Sequence, residues 1–240
     1  PLHSSAASDV YKRQAQIEPA LILHVRPYRE TSAIVQLFTQ GQGRLAGVLR
    51  GYRSKKQGQL NVQPFSVGTV SWVGRSELVT IQKFESHHFI ALQGEALYAG
   101  FYVLELLTRV LRERQQEPQL FQAAMQVLEA LEEGDALQPA LRLFELELLD
   151  QLGYGIDFSA AGEPLNASAL YRFEPQVGFR RVSGGDGSVR VVSGQSLLAI
   201  ASRDFSDSAT LDAAKGLMRA AIEPLLGDKP LTSRKMFQRH

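Results

Sequence analysis

An α+β chain, in which a five-stranded β-barrel leads into a mainly helical region with a small irregular β insertion, is predicted by three features of the 240-residue sequence. Short β-branched and aromatic runs broken by turn residues fill roughly residues 15–86. Beyond residue 93 the apolar period lengthens to that of a helix. The charge balance also changes sign between these segments. Residues 20–85 carry nine Lys and Arg against three acids, whereas 94–152 carry four Arg against eleven acids, net +6 and −7. The overall formal charge of +1 hides this contrast. Such asymmetry marks separate domains, one of which suits a polyanion; a merely solvated charged surface is the plainer alternative.

The elements follow in order. Residues 1–14, PLHSSAASDVYKRQ, are small and polar without a sustained period, and are expected to be a non-native or disordered extension. Strands are predicted at 21–25, 33–38, 44–49, 67–73 and 78–84, with Gln40-Gly41-Gln42-Gly43 turning the second into the third. Five strands in about 70 residues can close into a barrel and so remove exposed edges, and the oligonucleotide-binding (OB) barrel is the commonest such form. An open meander or an SH3-like barrel competes. A first helix is predicted over 94–114 from the stripe Ala96, Leu97, Gly100, Phe101, Leu104, Leu107 and Leu111. A second carries Leu120, Ala123, Ala124, Val127, Leu128 and Leu131. Pro139 opens a third that ends at the cap residue Gly153. The insertion at 154–193 has possible strands at 170–173 and 178–182. Closing helices are expected at 194–202, 208–226 and 232–238, with Asp207 or Ser208 as an N-cap. The predicted division is 1–14, then a barrel domain 15–86, then a helical domain 87–240.

Composition excludes several classes. No run approaches the roughly 18 apolar residues of a membrane span, so no membrane association is expected and a cytoplasmic location is the default. The absence of cysteine rules out disulfides and thiolate zinc sites. Five histidines are scattered; His87 and His88 are adjacent and diverge on an extended chain. Neither a G-x-S-x-G elbow nor a phosphate-binding G-x-x-x-x-G-K-[ST] loop is present, so no catalytic residue, cofactor or metal is predicted and the chain is read as no enzyme.

The sharpest local signal is GYRSKKQG at 51–58. Arg53, Lys55 and Lys56 can neutralise phosphates, Ser54 can donate to a phosphate oxygen, and Tyr52 can stack on a base. Arg44 and Arg50, on the preceding strand, would extend the track across the barrel face. A solvated lysine-rich loop is the plain alternative. Trp72 fits the core better than a stacking role, and Tyr28 reads as a turn residue. Arg142 stands beside Leu141, Leu143 and Phe144 in an acidic domain; it suits an acidic peptide terminus, although an intrahelical ion pair with Glu145 or an inter-helix salt bridge is the plainer reading of the residues alone.

Five blocks then carry a family resemblance: LILHVRPYRETSAIVQLFT (21–39), GYRSKK (51–56), LQGEALYAGFYVLELLTRVL (92–111), PALRLFELELLDQLGYG (139–155) and GDKPLTSRKMF (227–237). Together they resemble the RecO family of DNA repair and recombination mediators, particularly its proteobacterial branch, over nearly all of the chain after residue 14. The resemblance implies an OB barrel followed by a helical domain and a place in the RecF pathway. It implies binding and annealing of single-stranded and duplex DNA, partnership with RecR, and help in loading RecA onto strands covered by single-stranded DNA-binding protein (SSB). It also implies that Arg53, Lys55 and Lys56 touch DNA and that Arg142 receives the acidic SSB tail. The four-cysteine zinc module of some relatives is missing from 158–179, so no zinc is expected. A nucleoid-associated cytoplasmic protein follows. An OB-barrel RNA-binding or translation-associated factor remains the alternative.

Overall fold

The computed structural model describes residues 16–52, 62–183 and 191–233. Five strands form a closed barrel in the order β1-β2-β3-β5-β4: β1 (Gln16–Tyr28), β2 (Ser32–Thr39), β3 (Gly43–Leu49), β4 (Ser66–Val73) and β5 (Leu78–Phe89). All neighbours are antiparallel except β3 and β5, and β1 pairs β4 over six residues to shut the barrel. That closure decides against the open meander, and the parallel β3–β5 contact is the OB arrangement. Alternation explains the interior. On β4 every second residue is buried, and Ile22, Val35, Leu37, Leu45, Val70, Trp72, Val79 and Ile81 meet inside. Trp72 is 1% exposed, so its place is the barrel core and no base can reach its ring.

Two strands run well beyond their sequence-predicted bounds. β1 runs to Tyr28 because a bulge at Leu23, which has no partner across β2, lets the strand bend around the barrel. Ala20, Leu21, Ile22 and Leu23 are therefore all buried, contrary to simple alternation. β5 extends to Phe89 through a second irregularity that leaves His87 unpaired between Ser86 and His88.

The chain divides into two compact units, between Gln122 and Ala123. The first contains the barrel, α1 (Gly94–Val110) and the start of α2 (Pro118–Glu133). Phe65 meets Phe101 of α1 edge-on at 5.0 Å, and Phe38 meets Phe121 at 5.3 Å, so the outward side of β2 is covered as well as its inward side. α1 stops four residues short of the predicted 114. Leu111 turns extended, and Arg114 donates its backbone N–H to the Arg44 carbonyl at 3.0 Å, a non-local bond that the helical period does not encode.

The second unit holds α3 (Leu137–Gln151), α4 (Gly194–Ala201), α5 (Ser208–Ile222) and a small β region. Pro139 is the third helical residue of α3, where its missing N–H has no helical acceptor to lose. At the far end Tyr154 donates to Leu149 O at 2.8 Å and Gly153 to Asp150 O at 3.1 Å, with Gly153 at φ +79. This paired closure is the motif that glycine at this position permits. α4 and α5 pack on each other and α3 packs on α5. Asp207 caps α5 by accepting from the Thr210 N–H at 3.0 Å. α5 ends at Ile222 rather than near 226, because Pro224 tightens the next turn into a 3-10 helix, Glu223–Leu225. The predicted strands at 170–173 and 178–182 are found as β8 (Leu170–Glu174) and β9 (Gly178–Val182), with β10 (Val191–Ser193) completing a sheet of order β10-β8-β9. Two-residue strands, β6 (Ser159–Ala160) and β7 (Glu163–Pro164), precede it and carry no periodicity to read. Most of the helix expected over 232–238 lies outside the described residues, as do residues 1–15.

Candidate nucleic-acid interface

The residues singled out for DNA occupy different settings. Arg50 follows the last residue of β3 and is exposed, and Tyr52 lies two residues on, half-buried with its ring packed against the barrel core. Tyr52 thus helps close the end of the barrel, leaving only part of its surface for a ligand. Arg53, Ser54, Lys55 and Lys56 lie outside the described residues.

Arg44, at the other end of β3, is committed elsewhere. Its Nε donates to the Leu111 carbonyl at 3.1 Å and its Nη2 lies 3.2 Å from Glu113 Oε1, with the side chain 18% exposed. A carbonyl left over at the C-terminus of α1 attracts a cation, and Glu113 adds a full negative charge. Arg44 is therefore a latch between β3 and the end of α1, not a free cation beside Arg50. Six residues of strand put the two about 20 Å apart along β3. The sequence shows the alternation that places Arg44 outward; it does not show that the exit from α1 lies across it. Arg44→Ala is expected to lower stability by about 1–2 kcal/mol in chemical denaturation and to leave the salt dependence of DNA binding unchanged.

Arg142 sits on α3 with its side chain 5% exposed, and its Nε and Nη2 face Glu145 Oε2 and Oε1 at 2.7 and 2.9 Å. The ion pair anticipated from i,i+3 spacing is thus formed, and it is formed in the interior. Nη1 has no hydrogen-bond partner among the described residues. Leu141 and Phe144 are buried around the pair, whereas Leu143 points out at 38% exposure. On the outer side of α3, Arg203 lies 3.2 Å from Glu147 and 3.5 Å from Asp150. Burial pushes the Asp150 carboxyl above its ordinary range and the Arg203 guanidinium pulls it back.

Sequence reasoning assigned no role to two residues. Arg26, on the outward side of β1, and Arg29, in the β1–β2 turn, are exposed, and the Arg29 guanidinium lies over the Tyr28 ring at 5.1 Å. The signal was available in RPYRE at 26–30, where two arginines bracket an aromatic, but only the strand register shows what faces them.

A closed five-stranded barrel of this order, followed by a separate helical unit, defines an OB-barrel protein with a helical partner domain. Comparison with known sequences makes that class specific. Residues 15–89 match the family model described as Recombination protein O N terminal, and residues 91–235 match Recombination protein O C terminal. A protein of Haemophilus influenzae (strain 86-028NP) named DNA repair protein RecO is 43% identical over 229 residues, covering 93% of this chain and 96% of that protein. Proteins of the same name from Stutzerimonas stutzeri (44% over 228 residues, 93% and 94% covered) and Cellvibrio japonicus (41% over 229, 93% and 97%) are also similar. The chain belongs to the RecO family.

Proposed function

We propose that this chain is a DNA repair and recombination mediator that binds single-stranded and duplex DNA through its barrel and acts by positioning strands, with no bond made or broken. The observation that carries this is the closed OB barrel built on a basic segment, in a chain whose relatives over nearly their whole length are named for DNA repair. Phosphate neutralisation by arginine and lysine is independent of sequence, which suits a protein that must act wherever damage occurs. Annealing strands and, with RecR, loading RecA onto SSB-coated DNA are the steps we assign to it. The location we assign is the nucleoid within the cytoplasm. No helix among the described residues is long and apolar enough to cross a membrane.

We assign docking of the SSB tail to α3 at Arg142. Nη1 is the guanidinium nitrogen left to receive a tail carboxylate, and the burial of the pair means that docking has to move the side chains around it.

A salt titration tests the reading. Log affinity should fall with log salt concentration, by about 0.9 per phosphate contacted on duplex and 0.7 on single strands. Replacing Arg53, Lys55 and Lys56 together by alanine should weaken binding equally for all sequences and flatten that slope by about 2 on single strands. Unchanged affinity would remove the loop from the interface. Competition between RNA and DNA of one sequence separates this function from an RNA-binding one, since preference for RNA would favour the latter.

A further inference from the structure

We propose that the β1–β2 turn is a stacking platform for an unpaired base, built from Arg29 lying on Tyr28 and flanked by Arg26 and Arg50 as phosphate contacts. This rests on the DNA-binding reading above and commits the platform to single-stranded DNA.

Register brings these residues together. Arg26 faces Ile34 across β2, and Ile34 faces Val48 on β3, two residues before Arg50. Tyr28 pairs with Ser32, which begins β2 as Leu49 ends β3 beside Ala33. With strands about 4.8 Å apart and about 3.3 Å per residue, the Arg26 and Arg50 Cα atoms lie roughly 12 Å apart, with Tyr28 beside Arg26 and level with Arg50 across the sheet. Arg26 and Tyr28 share a face, opposite to that of Val25, which packs on the barrel core. The accessible part of this face carries His24, Arg26 and half-buried Tyr28 on β1 and half-buried Ala46 and Val48 on β3, without a carboxylate; Ile34 of β2, between them, is buried. Among the described residues, Arg26, Arg29 and Arg50 have no ion-pair partner, in contrast to Arg44. In OB barrels the turn between strands 1 and 2 is one of the places where oligonucleotides lie.

The backbone adds a second observation. Arg29 sits at φ +55, a left-handed conformation that costs a non-glycine residue on the order of 1–2 kcal/mol. A glycine or asparagine would satisfy the turn with less strain, yet an arginine occupies it and its guanidinium covers the tyrosine ring. Strain of this kind gathers where a side chain is held for a task. The plane of a guanidinium resting on an aromatic ring offers its outer side to a nucleobase, and only a strand with unstacked bases can use it.

The test compares a dT oligonucleotide with an abasic strand of equal length, which keeps the phosphates and removes the bases. The full chain should bind dT about tenfold more tightly than the abasic strand in fluorescence anisotropy. Arg29→Lys keeps the charge and loses the plane, and Tyr28→Leu keeps the half-buried bulk and loses the ring; each should bring the ratio close to one while leaving abasic binding nearly unchanged. Arg26→Ala with Arg50→Ala should weaken both strands alike and reduce the salt slope by about 1.4. A dT-to-abasic ratio unaltered in both Arg29→Lys and Tyr28→Leu overturns the platform while DNA binding itself stands. Failure of the unsubstituted chain to bind either strand overturns the DNA-binding reading and the platform with it.

Discussion

Glu145→Ala is expected to destabilise the chain by about 3–5 kcal/mol, because it leaves the Arg142 guanidinium buried without its counter-charge. Arg142 and Glu145 are 4% and 2% exposed, so water cannot replace either partner. For a chain of this size the loss corresponds to a fall in melting temperature of roughly ten degrees. Arg142→Ala should be comparably harmful. The double replacement Arg142→Met with Glu145→Leu should cost much less than either single change, since well-packed apolar residues of similar volume can substitute for a buried ion pair. Thermal and urea denaturation of the original chain, the two single variants and the double variant would show whether the apolar pair escapes the cost of either single change. A Glu145→Ala protein as stable as the original would show that the pair opens to solvent. The same series bears on SSB recruitment. If Arg142 receives the acidic tail, the stable double variant should lose affinity for a tail peptide, which separates a binding role from a folding role.

The second large effect is expected at Gly43, where β2 turns into β3. Gly43 has φ +72, and a Cβ built there would stand 1.8 Å from the carbonyl oxygen of Gln115. The obstacle is backbone from the segment that follows α1, so no side-chain rotation can relieve it. Gly43→Ala should therefore destabilise by several kcal/mol, combining the left-handed penalty with displacement of the 113–115 segment against the barrel. That displacement would also break the adjoining latch, in which Arg44 O accepts from Arg114 and the Arg44 side chain holds Leu111 O and Glu113. A denaturation midpoint unchanged by the substitution would contradict the close approach. Gly41, two residues earlier, provides the control: its Cβ would meet the flexible Glu18 carboxylate at 3.0 Å, and Gly41→Ala should be mild.

Much of the fold was legible because its signals are local. Alternation along Val70, Ser71 and Trp72, glycines between the second and third strands, and helical spacing from Ala96 to Leu107 each depend only on neighbours in the chain. Asp207 and Gly153 could be placed as caps for the same reason. Errors fell where distant contacts act. The bulge at Leu23 buries four successive residues, and the bond from Arg114 to Arg44 ends α1 early. The second-unit strands of two or three residues are too short for any period to appear.

The candidate site divides in the same way. A basic stretch between 20 and 85 and the ion-pair spacing of Arg142 and Glu145 are properties of the chain read in one dimension, and both were evident there. Closure of the barrel, the depth at which the Arg142 pair is buried, and the difference between a latched Arg44 and Arg26, Arg29 and Arg50, which have no ion-pair partner among the described residues, came from the tertiary arrangement. The physical reason is that charge is fixed by residue type, whereas its availability depends on which carboxylates, carbonyls and apolar groups approach it from elsewhere in the chain.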